Sequence, residues 1–254
     1  MMASGSPDSR RLQFAKEVMA EPFLARAEKR NRRPLGSLNP SERQQYWYSY
    51  FSEMWAEGYE DVLRRQYESY LPLIPRVPGG RVLDIGCGAG EFLIFLNEHG
   101  IEGVGIDLEA REVERARARG LEVFQAEAIE FLKKTDEKFA AISLIEVVEH
   151  IPLEQVGPVL EAAAARLLPG GILILETINV RHPLAFDGFF MDPTHARPVP
   201  SDFLCFMMQW SGLQGVRVVY TNPVWLPGIL ESDHSRIYFN YAVVGGSASA
   251  LTQA

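Results

Sequence analysis

Cysteine is scarce in this chain of 254 residues, which contains only Cys87 and Cys205. The two lie far apart in sequence, so we expect no disulfide framework and a reducing compartment. No run of about 18 apolar residues occurs, so no membrane span is expected. The N-terminal segment is polar and mixed in charge, without the apolar core of a signal peptide. Together these absences predict a cytoplasmic protein.

Positive charge is also in deficit. The chain has 25 Lys and Arg against 33 Asp and Glu, a net charge of -8 and a pI near 5.3. Nucleic acids and anionic membranes attract proteins of the opposite charge balance. We therefore expect no nucleic-acid partner. The sequence leaves the oligomeric state open, a homodimer included.

Short apolar segments alternate with helix-like segments from Arg81 onwards. This alternation predicts a parallel sheet covered by helices on both faces. Five strands are predicted first, and a helix from Ser201 and two more strands follow. The seven strands are predicted near 81–86, 102–107, 121–126, 139–146, 171–177, 215–222 and 236–244. Residues 1–78 are predicted to form an N-terminal tail and helical cap, and residues 79–254 the α/β domain.

The cap is rich in aromatic side chains. Ser41 and Gln44 are placed as a capping box for a helix whose aromatic positions continue to Tyr70. Such a helix either lines an acceptor groove or simply packs on the sheet. The sequence does not decide between these two roles.

A glycine loop joins the first predicted strand to the first helix of the domain, in the segment VLDIGCGAGEF. Gly86, Gly88 and Gly90 permit a tight turn and a close approach of a ligand to the backbone. In a dinucleotide fingerprint the glycines are spaced differently and a small residue replaces Glu91. A carboxylate at that position is unfavourable beside a pyrophosphate. The loop therefore favours a nucleoside without phosphates, and a dehydrogenase becomes the weaker alternative.

Acidic side chains follow the next two strands. Asp107 ends the second strand, where a carboxylate can accept hydrogen bonds from both ribose hydroxyls. Glu127 follows the third and is placed to accept from an adenine amino group. Each also has a plain structural interpretation at the start of a helix. Their occurrence in order after the glycine loop favours the nucleoside.

Five segments stand in one order along the chain: VLDIGCGAG, GIDL, QAEA, SLIEVVEH and LLPGGILILET. This set closely resembles the class I S-adenosylmethionine-dependent methyltransferases over residues 80–245. The resemblance implies a Rossmann-like, seven-stranded, mostly parallel sheet whose last strand is antiparallel, with S-adenosylmethionine as cofactor. Carried over by position, the cofactor-binding residues are Asp84, Gly86, Cys87, Gly88, Gly90, Asp107, Leu108, Glu127, Ala128, Leu144 and Ile145.

The fourth strand ends in three groups that suit a metal ion. Glu146, Glu149 and His150 are spaced to share one face of a helical turn. This Glu-x-x-Glu-His signature resembles small-RNA 2′-O-methyltransferases and quinone-biosynthesis O-methyltransferases, where it is similar to a divalent-metal site. His195 is the fourth candidate ligand. Two carboxylates and two imidazoles suit Mg²⁺ or Mn²⁺ better than zinc, and a metal-free hydrogen-bonded cluster is the alternative.

The same residues are candidates for catalysis. His150, His195 or His182 is placed to take the proton of an acceptor hydroxyl, Asp192 is an alternative base, and Glu149 orients His150. The phrase DPTH at 192–195 resembles bacterial sugar O-methyltransferases, although it also fits an ordinary turn. The sequence thus predicts O-methylation of a sugar or oligosaccharide, for instance methylmannose or methylglucose in polysaccharide biosynthesis. A small-RNA end, a quinone-ring hydroxyl and a non-catalytic cofactor-binding protein remain alternatives.

Overall fold

The computed structural model describes residues 28–29, 33–52, 60–224 and 234–248. By its internal contacts the chain divides into two compact units, Met1–Glu57 and Gly58–Ala254. The predicted domain boundary lies between residues 78 and 79, whereas this division lies between Glu57 and Gly58. The helix Glu60–Tyr70 therefore belongs to the larger unit, because its buried tyrosines pack into the core there.

The first unit contributes one described α-helix, α1 (Pro40–Ser52), preceded by the short 3-10 turn Leu35–Ser37. The capping box of α1 lies two residues earlier than predicted. Asn39 Oδ1 accepts a hydrogen bond from the Glu42 amide, and Glu42 Oε2 accepts one from the Asn39 amide, both at 2.9 Å. Asn39 and Glu42 thus take the roles assigned to Ser41 and Gln44.

The second unit is built on a seven-stranded sheet with the order β3-β2-β1-β4-β5-β7-β6. Strands β1 to β5 are parallel, and β7 runs antiparallel between β5 and β6. The strands are β1 (Val82–Ile85), β2 (Gly103–Asp107), β3 (Val123–Gln125), β4 (Phe139–Ile145), β5 (Leu167–Ile178), β6 (Gln214–Pro223) and β7 (Tyr238–Gly246). The predicted topology is confirmed.

Seven α-helices are described in this unit: α2 (Glu60–Tyr70), α3 (Glu91–Glu98), α4 (Ala110–Ala118), α5 (Ala128–Lys134), α6 (Leu153–Ala165), α7 (Ala185–Met191) and α8 (Ser201–Trp210). Short 3-10 turns lie at Leu71–Leu73 and His234–Arg236. None of the helices in the described segments is long and apolar enough to cross a membrane.

Alternating side chains along the strands build one core on each face of the sheet. On one face, Leu144, Leu175 and Val243 pack with residues of α5, α6 and α8. On the other face, Ala141 and Ile174 pack with residues of α2, α3 and α4. Strands that are buried on both faces read as continuous apolar runs. This packing leaves the carboxyl ends of β1, β2 and β4 at one edge of the sheet, where ligands bind in open α/β folds.

Candidate active site

The glycine loop after β1 is tightly packed at Gly86 and Gly90 and open at Gly88. Gly86, Gly88 and Gly90 have φ angles of 70°, 53° and 87°. A Cβ atom on Gly86 would lie 2.4 Å from Val147, and one on Gly90 would lie 2.1 Å from Leu121. At Gly88 the nearest atom would be a Glu91 oxygen at 4.0 Å. The loop therefore offers its backbone to a ligand at Gly88, where a side chain would otherwise stand.

Asp107 ties the end of β2 to this loop. Its Oδ2 accepts a hydrogen bond from the Gly88 amide and its Oδ1 one from the Glu109 amide, both at 2.8 Å. Burial raises the pKa of Asp107, and these two N–H donors oppose that rise. The next side chain, Leu108, is 65% exposed. A carboxylate and an exposed apolar side chain beside an open glycine fit the ribose and adenine of an adenosyl group.

The side chains of Asp84 and Cys87 pack against the strands beside β1. Ser143 Oγ of β4 donates a hydrogen bond to Asp84 Oδ1 at 2.7 Å, and burial raises the pKa of Asp84 to about 7. Burial also raises the pKa of the Cys87 thiol. A Cβ on Gly105 of β2 would lie 2.6 Å from Cys87 Sγ.

The four remaining candidate cofactor contacts are Glu127, Ala128, Leu144 and Ile145. Glu127 caps α5, its Oε2 accepting from the Glu130 amide at 2.8 Å, and Ala128 is half-buried as the first residue of that helix. The Leu144 side chain is fully buried in the core and presents no surface to a ligand. Ile145 lies on the opposite face of the sheet and is half-buried. Contact of these two residues with a cofactor sulfonium stays a prediction.

The chain turns sharply after β4, and Glu146 does not share a helical face with Glu149 and His150. Glu146 has a φ of 54°, in the left-handed region that few glutamates adopt. The turn begins only beyond it, with the His150 amide donating to the Val147 carbonyl. Glu146 instead accepts a hydrogen bond from Asn240 of β7. The predicted convergence of all three side chains on one face is corrected accordingly.

Glu149, His150 and His195 form the one metal-type group found in the described part of the chain. One ligand atom from each lies within 4.8 Å of the others. The two imidazole rings are 4.7 Å apart between centroids. Both carboxylate oxygens of Glu149 are buried and have no hydrogen-bond partner there. A cation would satisfy these oxygens, so the residues fit a divalent ion.

The hydrogen bonds around the two imidazoles direct one nitrogen of each towards this group. Thr194 Oγ1 donates to Asp192 Oδ1 at 2.6 Å, so it accepts from His150 Nδ1 at 3.0 Å. His195 Nδ1 donates to the Phe189 carbonyl at 2.6 Å. Each ring therefore carries its proton on Nδ1, which leaves Nε2 with a lone pair for a metal. Burial, and then the proximity of His195, lowers the pKa of His150 and favours its neutral form.

The hydrogen bonds of His182 and Asp192 bear on their predicted role as bases. The buried His182 accepts from the Leu184 amide at Nδ1 and donates from Nε2 to the Val224 carbonyl, so both ring nitrogens are engaged. Its assignment as a base is not supported. Asp192 accepts from the amide and hydroxyl of Thr194. Burial raises the pKa of Asp192, but these bonds and the nearby His195 and His150 together bring it below its ordinary value, so Asp192 orients the hydroxyl and is a poor base.

Two residues that the sequence analysis missed, Glu176 and Asn240, lie next to Glu146. Burial, together with a neighbouring acid, raises the pKa of Glu146 and of Glu176 to about 8. Burial, followed by the charge of Glu146, also raises the pKa of Glu149. No ion pair to these three acids occurs within the segments that the structure describes. The signal for Glu176 was a lone acid within the apolar strand GILILET.

Comparison with known proteins places the chain in a family. Residues 55–218 match the methyltransferase domain family. A ubiquinone biosynthesis O-methyltransferase of Chelativorans sp. (strain BNC1) is 39% identical over 106 residues, 40% of this chain and 41% of the relative. One of Xylella fastidiosa (strain 9a5c) is 38% identical over 112 residues, 41% of this chain and 45% of the relative. The chain thus matches less than half the length of these curated relatives.

A solved structure agrees with the sheet topology. The SAM-dependent methyltransferase from Archaeoglobus fulgidus has a TM-score of 0.69 at 24% identity, covering 79% of this chain and all of that one (100%). At this identity the likeness concerns the fold. The family match spans both the glycine loop and the Glu149 group. The chain therefore belongs to the methyltransferase domain family and has the fold of the S-adenosylmethionine-dependent enzymes.

Proposed function

We propose that this protein is an S-adenosylmethionine-dependent O-methyltransferase assisted by a divalent cation. The observation that carries the proposal is the adjacency of two sites. β1 and β4 are hydrogen-bonded neighbours, and Gly86 in the loop after β1 packs on Val147, two residues before Glu149. The open glycine loop and the Glu149, His150 and His195 group therefore lie side by side at one edge of the sheet.

Asp107 and the glycine loop would bind the cofactor. The carboxylate of Asp107 has lone pairs beyond those used by Gly88 and Glu109, and these can accept the ribose hydroxyls. Leu108 would cover one face of the adenine. When bound, S-adenosylmethionine supplies an electrophilic methyl group on its sulfonium. The chain contributes the positioning that brings an acceptor oxygen into line with that methyl group.

Glu149, His150 and His195 would hold Mg²⁺ or Mn²⁺. A bound divalent ion supplies a lower pKa for an oxygen that it coordinates. The group offers one carboxylate oxygen and two imidazole nitrogens, a donor set that catalytic zinc and iron sites also use. Thr194 fixes the His150 ring and the Phe189 carbonyl fixes the His195 ring. These contacts leave both Nε2 atoms without a proton.

A hydroxyl on an aromatic ring is the acceptor that we place first. Phe186 and Phe190 of α7 stack with their planes 13° apart and are 56% and 69% exposed. Phe189, between them in sequence, lies 4.7 Å from His195. Exposed aromatic faces close to the metal-type group suit a planar ring. The resemblance to ubiquinone biosynthesis O-methyltransferases supports the same acceptor class.

A sugar or oligosaccharide hydroxyl is the second acceptor class. The segment Asp192–His195, whose resemblance to sugar O-methyltransferases led to this prediction, supplies His195 to the group and Thr194 to its support. Apolar faces of sugar rings also stack on aromatic side chains. The net charge of -8 weighs against an RNA acceptor.

Formation of S-adenosylhomocysteine on a panel of acceptors tests the proposal. The panel contains a catechol, mono- and oligosaccharides and a short RNA, each with Mg²⁺. We expect turnover with the catechol, and Glu149→Gln as the inactive control. Turnover with sugars alone would favour a sugar or oligosaccharide hydroxyl as the acceptor. Binding of S-adenosylmethionine with no turnover on any acceptor would contradict the enzyme assignment and favour a cofactor-binding protein.

A further inference from the structure

Two residues with unusual backbone geometry meet at one side chain. Glu146 and Asn222, with φ angles of 54° and 55°, are the non-glycine residues with positive φ in the described segments. Asn240 donates from Nδ2 to Glu146 Oε1, and its Oδ1 accepts from Asn222 Nδ2 at 2.9 Å. One amide group thus joins both left-handed residues.

Asn240 connects the end of β4 to rigid elements of the fold. It is fully buried on β7 and is paired in register with Thr221 of β6 and Ile178 of β5. Asn222 Nδ2 also donates to Gln66 Oε1 at 2.6 Å, and Gln66 is a buried residue of α2. A connected series Gln66, Asn222, Asn240 and Glu146 therefore runs from a helix to the end of β4. The helix and strands at the start of this series fix the position of the Glu146 carboxylate at its end.

The Glu146 carboxylate needs such an anchor. Glu149 and Glu176, whose side chains contact that of Glu146, are both fully buried, whereas Glu146 itself is partly exposed. Without the Asn240 amide, Glu146 can turn away from Glu149 into the solvent. The left-handed backbone at Glu146 points its side chain towards β7, where that amide lies.

We propose that Asn240 is a positioning residue, which holds the Glu146 carboxylate beside the Glu149, His150 and His195 group. The role rests on the proposed function, because it concerns the cation of that site. In this position the Glu146 side chain lies against that of Glu149, and Asn222 and Gln66 keep Asn240 in orientation. Outer partners of metal ligands typically contribute about 10- to 100-fold to metal affinity.

Titration of the full chain with Mn²⁺, followed by electron paramagnetic resonance, tests the role without any acceptor. Asn240→Ala is expected to weaken Mn²⁺ binding by about 10- to 100-fold. Asn222→Gly keeps the positive φ while removing the amide, and is expected to weaken binding less. Asn179→Ala is the matched control. Asn179 is also a buried asparagine, but it donates to the Ser235 and Tyr238 carbonyls.

Calorimetry with S-adenosylmethionine and the melting temperature are measured on the same samples. Weaker Mn²⁺ binding in Asn240→Ala and Asn222→Gly, with wild-type affinity in Asn179→Ala, supports the role. If Asn240→Ala does not fold, Asn222→Gly decides. Wild-type Mn²⁺ affinity in the variants, or an equal loss in Asn179→Ala, overturns the role and leaves the proposed function intact. A wild-type protein that binds no Mn²⁺ overturns both the metal assistance and the role.

Discussion

Nδ1 of His150 lies 3.0 Å from the hydroxyl of Thr194, which itself donates to Asp192. Because the Thr194 hydroxyl donates its proton to Asp192, His150 Nδ1 supplies the proton in the bond between His150 and Thr194. This assigns the His150 tautomer from heavy-atom positions alone. It also explains how DPTH acts as a unit, since Asp192 holds Thr194, Thr194 holds His150, and His195 is the second imidazole.

Removing the Thr194 hydroxyl should loosen the metal site. Thr194→Val keeps the side-chain volume but leaves His150 without its partner, so we expect Mg²⁺ or Mn²⁺ affinity to fall about 10- to 100-fold. Metal titration calorimetry measures this change. Thr194→Ser, which keeps the hydroxyl, is expected to bind metal as the wild type does. Equal affinities in the Val and Ser variants would contradict the assigned role.

Asp107→Asn should weaken cofactor binding. An amide offers one acceptor oxygen instead of two, and its NH₂ group opposes the Gly88 or Glu109 amide. Hydrogen bonds to charged groups contribute about 1.5–3 kcal/mol, so we expect the Kd for S-adenosylmethionine to rise about 10- to 100-fold. Isothermal calorimetry measures it, with the exposed Glu114→Gln as control. An unchanged Kd would place the adenosyl group elsewhere.

Asp84 should make stability depend on pH. Its pKa is about 7 in the folded protein against an ordinary 3.8, so the folded state binds this proton more tightly. The loss of folding stability caused by ionising the buried Asp84 is absent below pH 3.8, grows between pH 3.8 and 7, and is constant above. Asp84→Asn keeps the acceptor for Ser143 and lacks this loss. From pH 5 to pH 8 its free energy of unfolding should gain about 2–3 kcal/mol relative to wild type.

Urea denaturation of the cofactor-free protein at pH 5 and pH 8 measures this difference. Asp136→Asn, at an exposed aspartate, is the control and should show no such gain. A constant difference between Asp84→Asn and wild type at the two pH values would show that the buried carboxyl ionises normally.

His182→Gln should affect stability without changing the chemistry. Both ring nitrogens of His182 make hydrogen bonds and its ring lies 5.3 Å from Phe239. We expect a loss of about 1–3 kcal/mol in the free energy of unfolding. The kcat of the folded enzyme and its pH profile should stay unchanged. A loss of the acidic limb of that profile, on which a general base becomes protonated, would restore His182 as the base.

Periodicity predicted the fold because its strands are buried on both faces and form separate apolar runs. Every strand of the sheet occurs near its predicted place, although β5 begins earlier, at Leu167. Helix α7 was missed, since the segment 179–200 is rich in proline and aromatics and carries no regular pattern. Tertiary contacts, such as Phe189 with His195, select the helix there.

The candidate site was only partly predictable, because spacing assumes a regular backbone. Glu149, His150 and His195 are brought together as their motifs suggested. Glu146 departs because one left-handed residue rotates its side chain towards β7. Asn240 carried no signal of its own, since an asparagine in an apolar strand acquires its role only when β7 inserts between β5 and β6.

Methyl transfer measured before and after removal of divalent metal shows whether a cation at Glu149, His150 and His195 assists the reaction. Product formation from S-adenosylmethionine and a catechol is followed in the purified enzyme, then in excess EDTA, then after Mg²⁺ is restored. We expect loss of turnover in EDTA and its recovery with Mg²⁺, while calorimetric affinity for S-adenosylmethionine stays constant. Turnover that continues unchanged in the chelator would contradict assistance by a cation.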